Sequence, residues 1–398
     1  KNYNLVDLHK NIVDALVLSS SNGQPMRRES DLIDVWFDSG SMPYAQWHYP
    51  FENKEKIDAG ESFPADYIAE GVDQTRGWFY TMHAIGTLVF GKKAYKNVIS
   101  NGLVLDKAGQ KMSKRLGNAV DPFKTLDQFG ADAIRWYMIS NTNPWDNLKF
   151  DTEGVSEVQR KFFGTLYNTY SFFSLYANID AFNPKKEVTI PLKKRAELDL
   201  WILSELHSLI QEVDAAYEDY EPTKAARFIS DFVQEKLSNW YVRLCRRRFW
   251  KGEYGPDKIA AYQTLYECLI SVSKLAAPIA PFFMDRLYQD LVQNTSTSVH
   301  LTDFPIVNLG NINLSLEDQI NKARTITSLA LSLRKKEQIR VRQPLQKMII
   351  PVKNTTERKQ IEGITEQLKG EINIKIIEFL DDANSLLVKE VKPNFKAL

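Results

Sequence analysis

The sequence predicts a mixed fold: an α/β part, then an all-α helical bundle, then a small C-terminal α/β unit. Three patterns carry that reading. Strand-like and helix-like runs alternate between residues 63 and 140, and apolar residues then recur at helical spacing from 155 to 275. Near the C-terminus, two strand-like runs flank a helix-like one. A chain of 398 residues is long enough for two or three domains with sizeable cores.

Residues 1–60 are mixed, with short apolar runs at Ile12 to Leu18 and Leu32 to Phe37 separated by turns rich in Ser, Asn and Gly. Asp66 to Glu70 reads as a short buried strand, Gly71 as the turn after it, and Val72 to Phe90 as a helix. Asn97 to Leu105 is a second strand, and Ala131 to Ser140 a helix opened by Gly130. Alternation of this kind favours a parallel sheet. After Pro144 the spacing predicts helices over Val155 to Ala177, Asp199 to Tyr217, Pro222 to Trp250 and Lys258 to Leu275. Pro222 suits a helix start, where its missing N–H does no harm. Asn183 to Lys194, with two prolines and four lysines, is a connection. Residues 199–305 therefore form an antiparallel bundle. A long helix near Leu316 to Lys336 follows, and then strands near Lys347 to Val352 and Ile372 to Leu380 with a helix between them.

Bulk composition narrows the class without naming a partner. Apolar residues make up 43% and charged residues 25%, ordinary for a globular protein. No window approaches the roughly 18 apolar residues of a membrane span, and the start does not resemble a signal peptide. The two cysteines, Cys245 and Cys268, cannot build a disulfide framework or a four-cysteine zinc site, and both read as small, reduced hydrophobes. Lys and Arg total 51 against 50 Asp and Glu, so any polyanionic partner must meet a local patch. The chain opens on Lys1 in mid-pattern without a Met and reads as a piece of a longer protein.

Three stretches can carry chemistry. The first is Lys111-Met112-Ser113-Lys114, in a loop after a strand and between Gly109 and Gly117. Two lysines with a hydroxyl between them can surround a triphosphate. By residue type alone the loop is equally a solvated basic turn, with Lys107 and Arg115 nearby. The second runs from Glu70 through Gly71, Val72, Asp73, Gln74, Thr75, Arg76 and Gly77 to Trp78, off a strand end into a helix. Gly71 allows close approach to the backbone, and Asp73 can accept from ribose hydroxyls. Gln74 and Trp78, four apart, would share a helical face. The plainer alternatives are Asp73 as a first-turn dipole partner and Trp78 as core. The third, Trp240 to Lys251, holds five basic and no acidic residues interleaved with aromatics. On a regular helix Arg243, Arg246 and Arg247 fall within roughly 100° of arc, beside an apolar face of Val233, Leu237, Trp240 and Leu244. Guanidinium planes suit phosphates and unstacked bases. The same stretch could be a solvated basic face anchored by aromatics.

Lys111 to Asn118 (KMSKRLGN) resembles the KMSKS signature of class I aminoacyl-tRNA synthetases. It departs from that signature at Arg115, where similar enzymes of the isoleucine type often carry Arg. Glu70 to Phe79 resembles the EGxDQxRGWF segment of isoleucyl-tRNA synthetases, and the valine and leucine enzymes differ there. Val35 to Gly40 is similar to the family's WFDSG segment, and Asn239 to Trp250 to the NWYxRxxRRRFW segment of the anticodon-binding bundle.

The resemblance implies a partial Rossmann-type catalytic domain over residues 21–150, after the tail of an inserted editing or connective region over 1–20. It implies an anticodon-binding domain over 151–305 and a junction unit over 306–398. It also implies a set of roles. Lys111, Met112, Ser113 and Lys114 hold the ATP phosphates, and Lys111 and Lys114 stabilise charge in the reaction. Asn101 and Gly102 touch adenine through backbone, where relatives often have His-Gly. Glu70, Gly71, Asp73 and Gln74 hold the adenylate, while Trp36 and Trp78 wall the side-chain pocket. Trp240, Arg243, Arg246, Arg247, Arg248 and Trp250 face tRNA, and Arg334, Lys335, Lys336, Arg340 and Arg342 form a weaker second basic cluster. ATP with Mg²⁺, isoleucine and tRNA(Ile) are the implied ligands of a cytoplasmic monomer, with no membrane partner and no metal site. A branched aliphatic pocket rejects a substrate one methylene smaller by only about 1–3 kcal/mol, a magnitude known from the isoleucine enzyme itself. That weakness is why the family edits hydrolytically, and no editing site is present here.

None of His9, His48, His83, His207 and His300 sits in the His-x-Gly-His-type motif that such enzymes use to grip ATP. The chain thus carries half of an ATP site and is expected to be inactive alone. The alternatives are a valine enzyme, whose bundle is similar, or a tRNA-binding module without catalysis.

Overall fold

The computed structural model describes residues 7, 9–31, 34–352 and 354–380; the expected start of the inserted-region tail and the end of the C-terminal unit lie outside the described residues. The chain divides into two compact units, one of Lys1–Arg115 with Pro144–Lys149 and one of Leu116–Asn143 with Phe150–Leu398.

In the first unit the strands Ala65–Gly71 and Tyr95–Asn101 pair in parallel, with Gly71 opposite Asn101. Ile57, Phe63, Ile68, Phe79, Met82 and Ala94 form the core beneath them. The helix expected over Val72 to Phe90 is two pieces. A 3-10 turn, Val72–Arg76, precedes an α-helix, Trp78–Phe90, with Gly77 between them. The break is closed by a side chain: the Trp78 N–H donates to Gln74 Oε1 at 2.9 Å. The α-helix stops at Gly91, whose φ of 63° is the left-handed conformation that glycine adopts without penalty. The second expected strand also divides, into Tyr95–Asn101 and Val104–Leu105. Gly102 is the reason. Its N–H donates to the Pro144 carbonyl at 2.8 Å, and a side chain there would strike the Asp146 carbonyl. The returning segment then pairs Leu148–Lys149 in parallel with Val104–Leu105. The parallel pairing is present, but each sheet among the described residues has only two strands.

The second unit is helical, with one small sheet. The predicted helices are found as Ala131–Asn141, Glu197–Glu218 and Pro256–Ala276. Thr152–Val158 runs through a π turn, Gln159–Phe163, into Gly164–Ile179. Pro222–Asp231 likewise runs through a π segment, Phe232–Val242, into Arg243–Trp250. Trp201, Ile202, Phe232, Leu237, Tyr241, Tyr262 and Leu265 are buried in the bundle core, where apolar spacing put them. Two helices of this unit lie outside the expected set. Pro122–Phe129 is mostly exposed and is fixed by its cap, the Asp121 carboxylate accepting from the Phe123 and Lys124 N–H groups. Pro281–Val292 buries Met284, Leu287, Tyr288 and Leu291, one face at helical spacing.

In the terminal unit, Leu345–Pro351 and Ile374–Leu380 pair in parallel. The single helix expected between them is Thr355–Glu362 and Thr365–Ile372, divided at Gly363.

His207, 7% exposed, shows how tightly the bundle is closed. Its Nδ1 accepts from the Asn308 N–H at 3.2 Å, and Nε2 lies 2.9 Å from the Asn311 amide. Burial holds its pKa below the usual value. The unfolded chain therefore binds the proton more readily, so stability should rise with pH and be lost as pH falls below about 6.5. Thermal melts of the chain and of a His207→Gln variant between pH 8 and pH 5 check this. The parent should lose more stability over that range, and parallel curves would refute it.

Candidate functional site

Ligands of open parallel sheets bind beyond the carboxyl ends of the strands, which here are Gly71 and Asn101. Around Gly71 the expected residues come together. Glu70 and Asp73 are exposed, and a Cβ on Gly71 would stand 2.7 Å from Asp73 Oδ1, so the missing side chain is what admits that carboxylate. Gln74 Nε2 donates to Asp73 Oδ2 at 3.2 Å while its Oε1 caps Trp78. Gln74 and Trp78 therefore do not line one helical face; they meet across the Gly77 break through the Trp78 backbone.

Trp78 is half-buried, and its Nε1 donates to the Ser39 carbonyl at 2.8 Å. Ser39 belongs to the helix Val35–Gly40, whose N-terminal Asp34 accepts from the Trp36 N–H. Trp36, 43% exposed, lays the edge of its ring over Gly77. The Trp36 ring edge thus lies over Gly77, while the Trp78 indole packs against the core of the first unit, as its plainer reading has it, with its Nε1 tied to the Trp36-bearing helix. At the second strand end one expectation changes. Of the expected pair, Asn101 ends the strand opposite Gly71, and the Gly102 N–H is engaged by the Pro144 carbonyl at 2.8 Å and is not an open donor for a base.

The Lys111–Lys114 loop is shaped by the turn before it. The Asp106 N–H donates to the Gln110 carbonyl, Gly109 N–H to the Asp106 carbonyl, and Gln110 N–H to Asp106 Oδ1. Gly109 takes φ 83°, and Lys111 is bridged antiparallel to Leu105. Lys111 is exposed, Met112 and Ser113 are half-buried, and a 3-10 turn, Lys114–Leu116, follows. The Lys114 side chain lies outside the described residues. Sequence reasoning missed Lys149. Its Cε lies 3.2 Å from where a Cβ on Gly109 would stand, which brings a further cation to the loop through strand pairing that no local pattern reveals.

The basic stretch is corrected in detail. Trp240, 4% exposed, is core. Arg248 is a clasp inside the bundle: Nη1 and Nη2 donate to the two Asp199 oxygens at 2.7 and 2.8 Å, and Nε and Nη2 to Asp257. Tyr241 donates to the same Asp199 at 2.6 Å. Arg243 is half-buried, paired to Glu371 at 2.5 Å and lying over the Trp240 ring. Only Arg246, Arg247 and Trp250 of the six expected residues are exposed. The later cluster loses Arg334, which is 4% exposed and donates to the carbonyls of Arg340, Gln343, Ile372 and Asn373. Lys335, Lys336, Arg340 and Arg342 stay exposed. Both cysteines are buried, and burial pushes the Cys245 thiol up to about 12, away from nucleophilic chemistry. Among the described residues no group of His, Cys, Asp or Glu could hold a metal ion, and no helix is long and apolar enough to cross a membrane.

Comparison with known proteins gives a consistent picture. Residues 1–151 match the family model for tRNA synthetases class I (I, L, M and V), and residues 199–349 that for the anticodon-binding domain of tRNA ligase. An isoleucine--tRNA ligase of Bacteroides fragilis is 60% identical over 402 residues, covering 100% of this chain and 35% of the relative. That of Porphyromonas gingivalis is 58% identical over 100% of this chain and 35% of its own length. The Thermus thermophilus enzyme is 44% identical over 98% of this chain and 38% of its own. The chain thus spans about a third of the length of the curated relatives it matches. Among solved structures, the ternary complex of Agrobacterium radiobacter K84 agnB2 LeuRS with tRNA and LeuAMS has a TM-score of 0.56 at 19% identity. It covers 75% of this chain and 36% of that one, a likeness of fold.

The division of the arginines is open to measurement. Removing one partner of a buried ion pair costs about 3–5 kcal/mol, whereas an exposed substitution changes stability by less than about 0.5 kcal/mol. Urea denaturation of the chain should show the first loss for Arg248→Ala and the second for Arg246→Ala and Arg247→Ala. Similar losses for all three would reject the assignment.

Proposed function

We propose, for a chain that belongs to the class I aminoacyl-tRNA synthetase family and matches isoleucine-specific members over its whole length, that it works within a longer enzyme charging tRNA(Ile) with isoleucine. The observation that carries this reading is the meeting of Trp36, Gly77 and Trp78 beside the Gly71 strand end, next to the Glu70 and Asp73 carboxylates. Two indoles suit a branched aliphatic side chain, and the carboxylates suit an ammonium group and ribose hydroxyls.

In the first step an isoleucine carboxylate oxygen attacks the α-phosphorus of ATP. The bond to the bridging oxygen breaks, and pyrophosphate leaves with the electron pair. In the second, a terminal ribose hydroxyl of the tRNA attacks the acyl carbon and AMP leaves. Neither step needs a protein nucleophile; positioning and charge supply the rate. Lys111 and Lys114 neutralise the phosphates, with Lys149 adding charge at the base of the loop. Mg²⁺ would arrive with the nucleotide and screen its phosphates. Arg246, Arg247 and Trp250 are the exposed part of the basic stretch and the proposed RNA-facing groups. Residues 1–20 and 21–150 serve as the tail of an inserted region and the second half of the catalytic domain. Residues 151–305 serve as the anticodon-binding domain and 306–398 as a junction.

In the full-length enzyme, Lys111→Ala should lower the kcat of isoleucine-dependent pyrophosphate exchange by about 100- to 1,000-fold, as for the loss of a group that meets developing charge. The isoleucine KM should hardly change, and an unaltered kcat would sink the assignment. The chain alone lacks the histidine motif and should support no exchange above background; measurable exchange by the purified chain would contradict the half-site reading.

A further inference from the structure

We propose that Gly77 is a positioning residue for amino-acid selection: by having no side chain it sets where the Trp36 indole lies. The proposal rests on the reading that Trp36 and Trp78 wall the isoleucine pocket. A Cβ at Gly77 would stand 3.1 Å from Trp36 Cη2 and 3.3 Å from Cζ3. Ordinary carbon contacts lie at about 3.5–4.0 Å, so the ring would have to move by a few tenths of an ångström.

The ring cannot retreat by carrying its helix with it. A Cβ at Gly40, the last residue of Val35–Gly40, would lie 2.8 Å from Ile85 Cδ1 and 3.1 Å from the Thr81 backbone, so this helix already packs closely against Trp78–Phe90. The Ser39 carbonyl is held by Trp78 Nε1 at 2.8 Å, which ties the two tryptophan-bearing helices together. With both helices fixed, an added methyl at 77 acts on the Trp36 ring itself. It also presses on Gln74 Oε1, at 2.7 Å, the acceptor that caps Trp78. That second contact predicts a loss of stability, whereas the first predicts a change in substrate preference.

The two are separated by a double-mutant cycle in the full-length enzyme, read by pyrophosphate exchange with isoleucine and with valine and by thermal melting. Misplacement on this scale should raise the isoleucine KM about tenfold in Gly77→Ala, with the ATP KM unchanged within about twofold. The isoleucine-over-valine ratio of kcat/KM should fall by a similar factor. In a Trp36→Phe background, where the struck atoms are absent, adding Gly77→Ala should raise the isoleucine KM less than about twofold. An equal penalty in both backgrounds, or parallel rises in the ATP and isoleucine KM, would overturn the proposal in favour of a purely structural glycine. If Gly77→Ala alone does not fold, the same cycle is run in a Gln74→Ala background, where the contact that costs stability is gone; an isoleucine KM penalty for Gly77→Ala that Trp36→Phe does not relieve there overturns the proposal, as does failure to fold in that background too. Unchanged isoleucine KM in Trp36→Phe and Trp78→Ala alone would instead show that the pocket reading itself is wrong.

Discussion

A carboxylate with no exposure to water must find both charge and donors inside the protein, and Asp199 is such a group. The Arg248 fork and the Tyr241 hydroxyl supply them. Satisfying Asp199 fixes the rotation of the Pro222–Trp250 run about its own axis. Once Arg248 and Tyr241 point at one carboxylate, Cys245 and Phe249 turn into the core and Arg246 and Arg247 face outward. The same device recurs at Asp180, which pairs with the buried Lys258 at 2.7 Å and accepts from Tyr262 at 2.6 Å. In each case a tyrosine and a cation share one carboxylate. Such clusters add little net stability compared with an apolar substitute, but they penalise every helix rotation that would leave the charge unpaired.

The first unit relies on a different constraint, the close approach of backbones where glycine stands. At Gly102 the vacated volume is filled by the Asp146 backbone, which brings the returning segment to the strand end. At Gly77 it is filled by an indole edge and an amide oxygen. The same residue type therefore does two jobs: one glycine completes the fold, and the other shapes a surface that a ligand can meet.

Much of this was legible in the sequence because it is local. Apolar spacing gives Glu197–Glu218 and Pro256–Ala276 nearly to the residue, since burial of one face needs nothing beyond the helix period. The short strand Ala65–Gly71 and the turn after it were equally plain. What failed depended on polar contacts that apolar spacing does not reveal. The split at Gly102 is held by Pro144 and Asp146, far along the chain, and the break at Gly77 by the nearby Gln74 side chain. The helix Pro122–Phe129 escaped notice because its cap, not a buried face, defines it.

The arginines show why motif and mechanism are separate questions. Arg246, Arg247 and Arg248 are consecutive and chemically identical, and residue type gives each the same claim on a phosphate. Yet a helix turns by about 100° per residue, so three neighbours cannot all face one way. Asp199, some distance back along the chain, decides which of them turns inward, and Glu371, further on, takes Arg243. Arg334 goes the same way, its guanidinium donating to four backbone carbonyls. A near-neutral chain of +1 has little diffuse field with which to attract a polyanion, so its exposed clusters matter individually. After the inward arginines are set aside, Arg246 and Arg247 stand exposed beside Trp250 on the bundle, and Lys335, Lys336, Arg340 and Arg342 in the later cluster, so long-range pairing and not residue type decides which cations face water.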